Sequence, residues 1–203
     1  HEPEIVREFC NQYKKHVDLP FSVNLQCKLV KESCFAMAVE AGLRNVCVGV
    51  ESGSRRVRKE ILKRNYKDED VERVFALAHK YGIRSSSFNI MGLPEEGRAD
   101  IFKTIELNKK INPTSATVTF FHPYRGAPLR KLCVERGYID ENQGKHEDIY
   151  RTESQLTMPQ IGRQELTHIM ESFQLYMKLP EKYYNLIKMQ ESQENETQKN
   201  IRN

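Results

Sequence analysis

Short apolar or β-branched runs alternate with longer amphipathic segments along this chain, and that alternation constrains its fold more than any other feature. Phe21 to Leu25 follows Pro20 as a short strand candidate, and Asn45 to Val50 is a continuous apolar run, the pattern of a strand buried on both faces. Ile83 to Met91 runs into Gly92-Leu93-Pro94, and Ala116 to Phe121 carries β-branched Thr117, Val118 and Thr119. Helical patterns separate these runs. Lys31 to Ala41 sets Phe35, Ala38 and Val39 on one side and stops at Gly42. Ser54 to Arg64 reads as a basic helix, and Asp68 as the N-cap of one carrying Val71, Val74, Phe75 and Ala78 up to Gly82. Ile101, Phe102 and Ile105 mark the next, followed by Pro113, and Pro128 to Arg136 is a short helix closed by Gly137. Strand-then-helix units of roughly 30–40 residues dictate parallel strands joined by helical crossovers.

Ahead of the first strand, Ile5, Phe9 and Tyr13 recur every fourth residue between Pro3 and His16, the stripe of an amphipathic helix. Four strands cannot close an eight-stranded β/α barrel, which takes about 200 residues or more. A helix that precedes every strand is also out of phase with a βα array. Residues 1–140 therefore read as the later part of a β/α barrel or half-barrel whose opening strands are absent. A complete small doubly wound sheet is the alternative, and it leaves the first helix without its strand. Residues 141–157 are polar and turn-like. Arg163 to Lys178 places Leu166, Ile169, Met170, Phe173 and Met177 on one stripe, Pro180 breaks it, and Lys182 to Met189 is a further helical segment. Residues 141–189 thus form a C-terminal helical extension, and residues 190–203 a disordered polar tail.

A chain of 203 residues can bury a real core. A net charge of +4 is too small to argue for nucleic acid, and no apolar run approaches the ~18 residues of a membrane span. Five cysteines without a paired short spacing suit unbridged thiols in a reducing cytoplasm. The chain starts at His1 without a methionine, and reads as a piece of something longer.

Chemistry concentrates where the second strand ends. Val46-Cys47-Val48-Gly49-Val50 leads to a carboxylate, Glu51, and then to a Ser52-Gly53-Ser54 turn. The carboxyl end of a strand followed by a helix start is where α/β sheets hold ligands. Glu51 can accept from ligand hydroxyls or an amine. Gly53 lets backbone come close, and the free N–H groups of the next helix favour an anion. One reading is a polar ligand gripped by Glu51; another is a phosphate cradle made by the turn and the basic helix, which Glu51 would repel.

Four stretches together resemble the latter part of the radical S-adenosylmethionine core, in the subgroup often fused to a cobalamin-binding domain. They are Gly49-Val50-Glu51-Ser52-Gly53-Ser54, Lys63 twelve residues after Glu51, Asn89-Ile90-Met91-Gly92-Leu93-Pro94-Glu95, and His122-Pro123-Tyr124-Arg125-Gly126-Ala127-Pro128-Leu129. The resemblance covers about residues 1–140 and implies strands three to six of a (β/α)6 barrel. It implies S-adenosylmethionine, a 4Fe–4S cluster and, in the intact protein, cobalamin as cofactors. It also implies reductive cleavage of S-adenosylmethionine to a 5′-deoxyadenosyl radical that attacks a substrate the sequence does not identify. By this resemblance Glu51 contacts the ribose hydroxyls, Lys63 pairs with the methionine carboxylate, and Asn24 lies near the methionine moiety. Ile90, Gly92 and Glu95 match positions that meet the adenine, although Phe88 stands where the motif has a small residue. His122 and Tyr124 face substrate or adenine.

One motif is missing. No Cys-x3-Cys-x2-Cys occurs, so the cluster ligands are expected in an N-terminal segment of the same protein, outside this chain. Alone, the chain is expected to lack radical activity; a non-catalytic interaction domain that has lost its cluster is the further alternative. No nucleic-acid or membrane partner is expected. Each site residue also has a plainer role: Glu51 as a helix cap or partner of Arg55, and Lys63 as one cation of a solvated basic face with Arg55, Arg56, Arg58, Lys59 and Arg64. Likewise Asn24 can satisfy a strand end, Gly92 can belong to a terminating turn, and His122 and Tyr124 can pack at a rim. The histidines 16, 79, 146 and 168 and the pair Cys27 and Cys34 lack metal-ligand spacing.

Overall fold

The computed structural model describes residues 3–142 and 153–191. Helix α1 (Pro3–His16) leads to strand β1 (Phe21–Leu25), a 3₁₀ turn (Cys27–Leu29) and α2 (Glu32–Glu40). Strand β2 (Leu43–Glu51) continues into a π-helical turn (Val57–Ile61) and α3 (Asp68–Lys80), and β3 (Arg84–Met91) into α4 (Arg98–Ile111). Then come β4 (Ser115–Phe120), α5 (Pro128–Glu135) and α6 (Arg163–Lys178), after which a 3₁₀ turn and a helical stretch over 184–191 end the described chain.

All strand pairs are parallel and the sheet order is β1-β2-β3-β4. A doubly wound sheet reverses its order at a switch point; this one never does. It is a β/α-barrel winding of four units with a helical C-terminal segment. Two apolar clusters line one face of the sheet. Phe35, Leu43, Val46, Val48, Val50, Val71, Val74 and Phe75 fill the space under β1 and β2. Under β3 and β4, Met91, Ile101, Ile105 and Phe120 share a cluster with Leu166, Ile169, Phe173 and Tyr176, so α6 completes the barrel's core. Contacts across the seam hold it there: Gln174 donates to the Ala116 carbonyl at 2.8 Å, Arg98 pairs with Glu165 at 2.9 Å, and the rings of Phe102 and Tyr176 meet edge-on at 4.9 Å.

The opposite face is open. Asn24, Cys47, Ser86 and Ser115 align across it in register, followed by Gly49, Phe88 and Thr117, then Ile90 and Thr119. This corrects the sequence expectation for β2: Val46, Val48 and Val50 are buried, whereas Cys47, Gly49 and Glu51 are half-buried on the open side. Valine, cysteine and glycine are all apolar, so composition conceals the alternation. The expected basic helix over 54–64 is also corrected. Only a short helical segment forms, wound as a π-turn and ended at Leu62, and Arg58 in it is 0% exposed rather than solvated. Lys67, not Asp68, occupies the N-cap of α3. Residues 143–152 of the polar stretch and 192–203 of the expected tail lie outside the described residues.

Candidate functional site at the strand ends

Glu51 closes β2 in the left-handed region, φ 59°, and the Ser52 N–H donates back to the Val50 carbonyl at 2.7 Å. A three-residue turn about a non-glycine residue in this region costs on the order of 1–3 kcal/mol and persists where its surroundings over-determine it. It also breaks the β2–β3 register between Gly49 and Glu51, and so re-aims the carboxylate at the rim. Burial raises the Glu51 pKa, and the Arg64 guanidinium, 3.5 Å away, pulls it back down.

The turn that follows is sealed. Ser52 and Ser54 are 0% exposed. The Gly53 N–H donates to the Thr104 hydroxyl at 2.7 Å, and the Ser54 N–H to the Ser52 hydroxyl at 3.2 Å. Gly53 is glycine because a Cβ there would sit 2.1 Å from the Lys103 carbonyl oxygen. The close approach foreseen for a ligand is made by α4 instead, and the Gly53 and Ser54 amides of the turn are taken. Ser54 donates to Asp100 at 2.6 Å and Arg56 bonds the same carboxylate at 2.7 Å. Burial works against that charge, but these two donors outweigh it and hold the Asp100 carboxyl at about 2. The phosphate-cradle reading therefore loses these two amides of the turn.

After β3, Gly92 takes φ 74° in a buried turn. The carboxyl group beneath it is Glu96: one oxygen accepts the Gly92 and Leu93 N–H groups at 2.8 and 3.2 Å, and the other is buried without a hydrogen-bond partner among the described residues. Burial pushes Glu96 up to about 8 against the pull of those amides. Glu95, the position singled out in the sequence, lies outward at φ 62° and pairs with Arg136 at 3.2 Å.

Glu51, Ile90 and Gly92 meet at the carboxyl ends of adjacent strands, with Ile90 half-buried on the open face. Asn24 is exposed on that face opposite Cys47, four residues or ~13 Å down the strand from Glu51. Lys63 is exposed at φ 53° and has no ion pair among the described residues, while its neighbour Arg64 reaches Glu51. His122 is buried beyond β4 and Tyr124 is 52% exposed beside it, their rings edge-on at 4.6 Å. Sequence reasoning missed Arg64, Glu96 and the exposure of Phe88, 42%. The first two were hidden by identical or like-charged neighbours; Phe88 was hidden because alternation groups it with Ile90 against Ser87 and Asn89, and hydrophobicity alone would bury the wrong set.

All five cysteines are unbridged, and among the described residues no group of three or more His, Cys, Asp or Glu is placed to hold a metal ion. Nor is any helix among them long and apolar enough to cross a membrane.

The chain is 24% identical over 159 residues to the cytidylyl-2-hydroxyethylphosphonate methyltransferase of Streptomyces wedmorensis, covering 74% of this chain and 29% of that protein. Among solved structures it resembles coproporphyrinogen III oxidase (HemN) from Escherichia coli, a radical SAM enzyme, with TM-score 0.60, 15% identity, and coverage of 86% of this chain and 37% of that one. It also resembles the radical S-adenosylmethionine methyltransferase TsrM from Kitasatospora setae, solved with cobalamin and a 4Fe–4S cluster, with TM-score 0.56, 20% identity, and coverage of 66% and 27%. The chain thus spans under a third of the length of the curated relatives it matches. The sequence profile of the Radical SAM superfamily matches residues 2–107, which is more than half of the chain. With the parallel β/α winding and the rim carboxylate, that match makes the chain a member of the radical SAM superfamily.

Proposed function

We propose that the open face of this sheet binds S-adenosylmethionine, as part of a radical SAM enzyme whose cluster ligands are supplied from outside residues 1–203. Glu51 accepts from the two ribose hydroxyls. Lys63, or Arg64 on leaving Glu51, neutralises the methionine carboxylate, Asn24 contacts the methionine moiety, and Ile90 and the Gly92 backbone meet the adenine. His122 and Tyr124 border the substrate side. The observation that carries this reading is Glu51 itself: a half-buried rim carboxylate in a strained turn, whose partner is an exposed, displaceable arginine. In this superfamily, S-adenosylmethionine bound at a 4Fe–4S cluster supplies radical chemistry. The described residues offer no ligand set for the cluster, so the chain's own share is to bind and orient the nucleoside and the amino-acid end. Methyl transfer with cobalamin is the activity that the similarity to two methyltransferases favours for the intact protein.

Calorimetry with S-adenosylhomocysteine on the full chain tests the binding half. Glu51→Gln should weaken binding more than tenfold, the scale of a lost charged hydrogen bond of ~1.5 kcal/mol or more; unchanged affinity contradicts the ribose role. Anaerobic reconstitution with iron and sulfide tests the other half. The chain alone should bind no cluster and make no 5′-deoxyadenosine, and formation of either overturns the division of labour.

A further inference from the structure

Among the described residues the largest fully buried side chain is a cation, Arg58, in the π-turn behind the site. Burying a guanidinium carries a heavy desolvation penalty, and here even the bonding is incomplete, because Nε has no hydrogen-bond partner among the described residues. An apolar residue would pack there at less cost, so fold stability does not explain the choice. Its contacts do. Nη1 donates to the Ser52 carbonyl at 2.9 Å, and Nη2 pairs with Asp68. The guanidinium lies over the Tyr66 ring, 5.1 Å from its centroid, and the Tyr66 hydroxyl donates to the Val50 carbonyl at 2.6 Å.

The carbonyls of residues 50 and 52 are the two that flank Glu51. One is held by Tyr66, the other by Arg58, and the two holders are stacked on each other. The Arg58 carbonyl also accepts the Arg64 N–H at 2.7 Å, which ties down the residue whose side chain pairs with Glu51. We infer that Arg58 and Tyr66 are positioning residues: a cation–aromatic clamp, its arginine buried and its tyrosine half-buried, that holds the left-handed Glu51 turn open toward the ligand face. This rests on the ribose-binding reading of Glu51 and extends it to the groups that keep the carboxylate aimed. Burial pushes the Tyr66 phenol far up, so it stays a donor at any working pH.

The test compares binding of adenosine with that of 2′,3′-dideoxyadenosine by the full chain, each variant being checked for a cooperative melt. The wild type should prefer adenosine at least tenfold, and Glu51→Gln should abolish that preference. If the wild type shows no preference, or Glu51→Gln keeps it, the ribose reading fails and takes this inference with it. Given both results, Arg58→Leu should cut the preference at least fivefold, with Arg58→Lys restoring part of it. Tyr66→Phe, which keeps the ring and loses only the bond to Val50, should cut it about threefold. A purely structural Arg58 would lower the melting temperature and leave the adenosine preference intact. Should Arg58→Leu fail to fold, Tyr66→Phe decides alone: an unchanged preference in a folded Tyr66→Phe protein overturns the clamp while leaving the role of Glu51 standing.

Discussion

Strands β2 and β3 lie side by side in one sheet and divide their residues in opposite ways. In β2 the valines at 46, 48 and 50 face the helices, while Cys47, Gly49 and Glu51 face the open side. In β3 the buried positions are Ser85, Ser87, Asn89 and, at the strand's end, Met91, and the open side receives Phe88 and Ile90. The inversion is stable because α4 brings matching polar groups. Ser87 donates to Asn108 at 2.6 Å, and Asn108 donates to Asn89 at 2.9 Å and to the Thr104 carbonyl at 2.8 Å. Thr104 in turn accepts the Gly53 N–H. A hydrogen-bonded seam therefore runs from β3 through α4 to the turn after Glu51. The difference teaches that β2 is held by area and β3 by satisfied bonds. Apolar packing tolerates small shifts, whereas a buried network fixes register and so fixes where the rim lies.

The largest expected effect breaks the seam. Asn108→Ala removes three buried hydrogen bonds, leaving Asn89 Oδ1 without its donor and the Ser87 hydroxyl without its acceptor, and at ~1–3 kcal/mol for each unsatisfied group should cost about 3 kcal/mol in urea unfolding. Val48→Ala, at a fully buried position of β2, should cost about 2 kcal/mol, the scale of two lost methyl groups plus a partly collapsed cavity. Should the order be reversed, area rather than bonding would hold both strands.

Glu96 sharpens the comparison through pH. Its carboxyl is raised from an ordinary 4.5 to about 8 by burial, so the folded chain holds this proton more tightly than the unfolded one. Its contribution to stability is complete below 4.5 and is lost as pH rises through about 8. Glu96→Gln should flatten the decline of the urea midpoint over that window, and an unchanged slope would mean that Glu96 ionises normally. The smallest effect belongs to Phe88. Being 42% exposed, its replacement by serine should change stability by under ~1 kcal/mol, checked by the same unfolding curves.

Much of the architecture was legible in the sequence. The four strands, the helix before them and α6 lie within about two residues of where periodicity puts them, since hydrophobic spacing and Gly or Pro stops act locally. What could not be read depends on tertiary partners. Whether Val46–Val50 is covered on one side or two depends on what stands opposite. Arg58 sits amid cations at ordinary surface spacing, and only the π-turn swings it inward. Lys63 and Arg64, or Glu95 and Glu96, are interchangeable by type; the first residue of each pair is left-handed, and that turn decides which side chain faces the site. The family motifs marked the rim, and the geometry assigned its neighbours.

The most direct test of the account is to titrate S-adenosylhomocysteine into the isotopically labelled full chain and follow the backbone amide resonances. Shifts should concentrate at Gly49, Glu51, Phe88, Ile90 and Gly92, on the open face and its rim. Shifts concentrated instead in the apolar groove of about 610 Å³ lined by Phe9, Phe21, Cys34 and Phe35, or absent from the rim altogether, would contradict it.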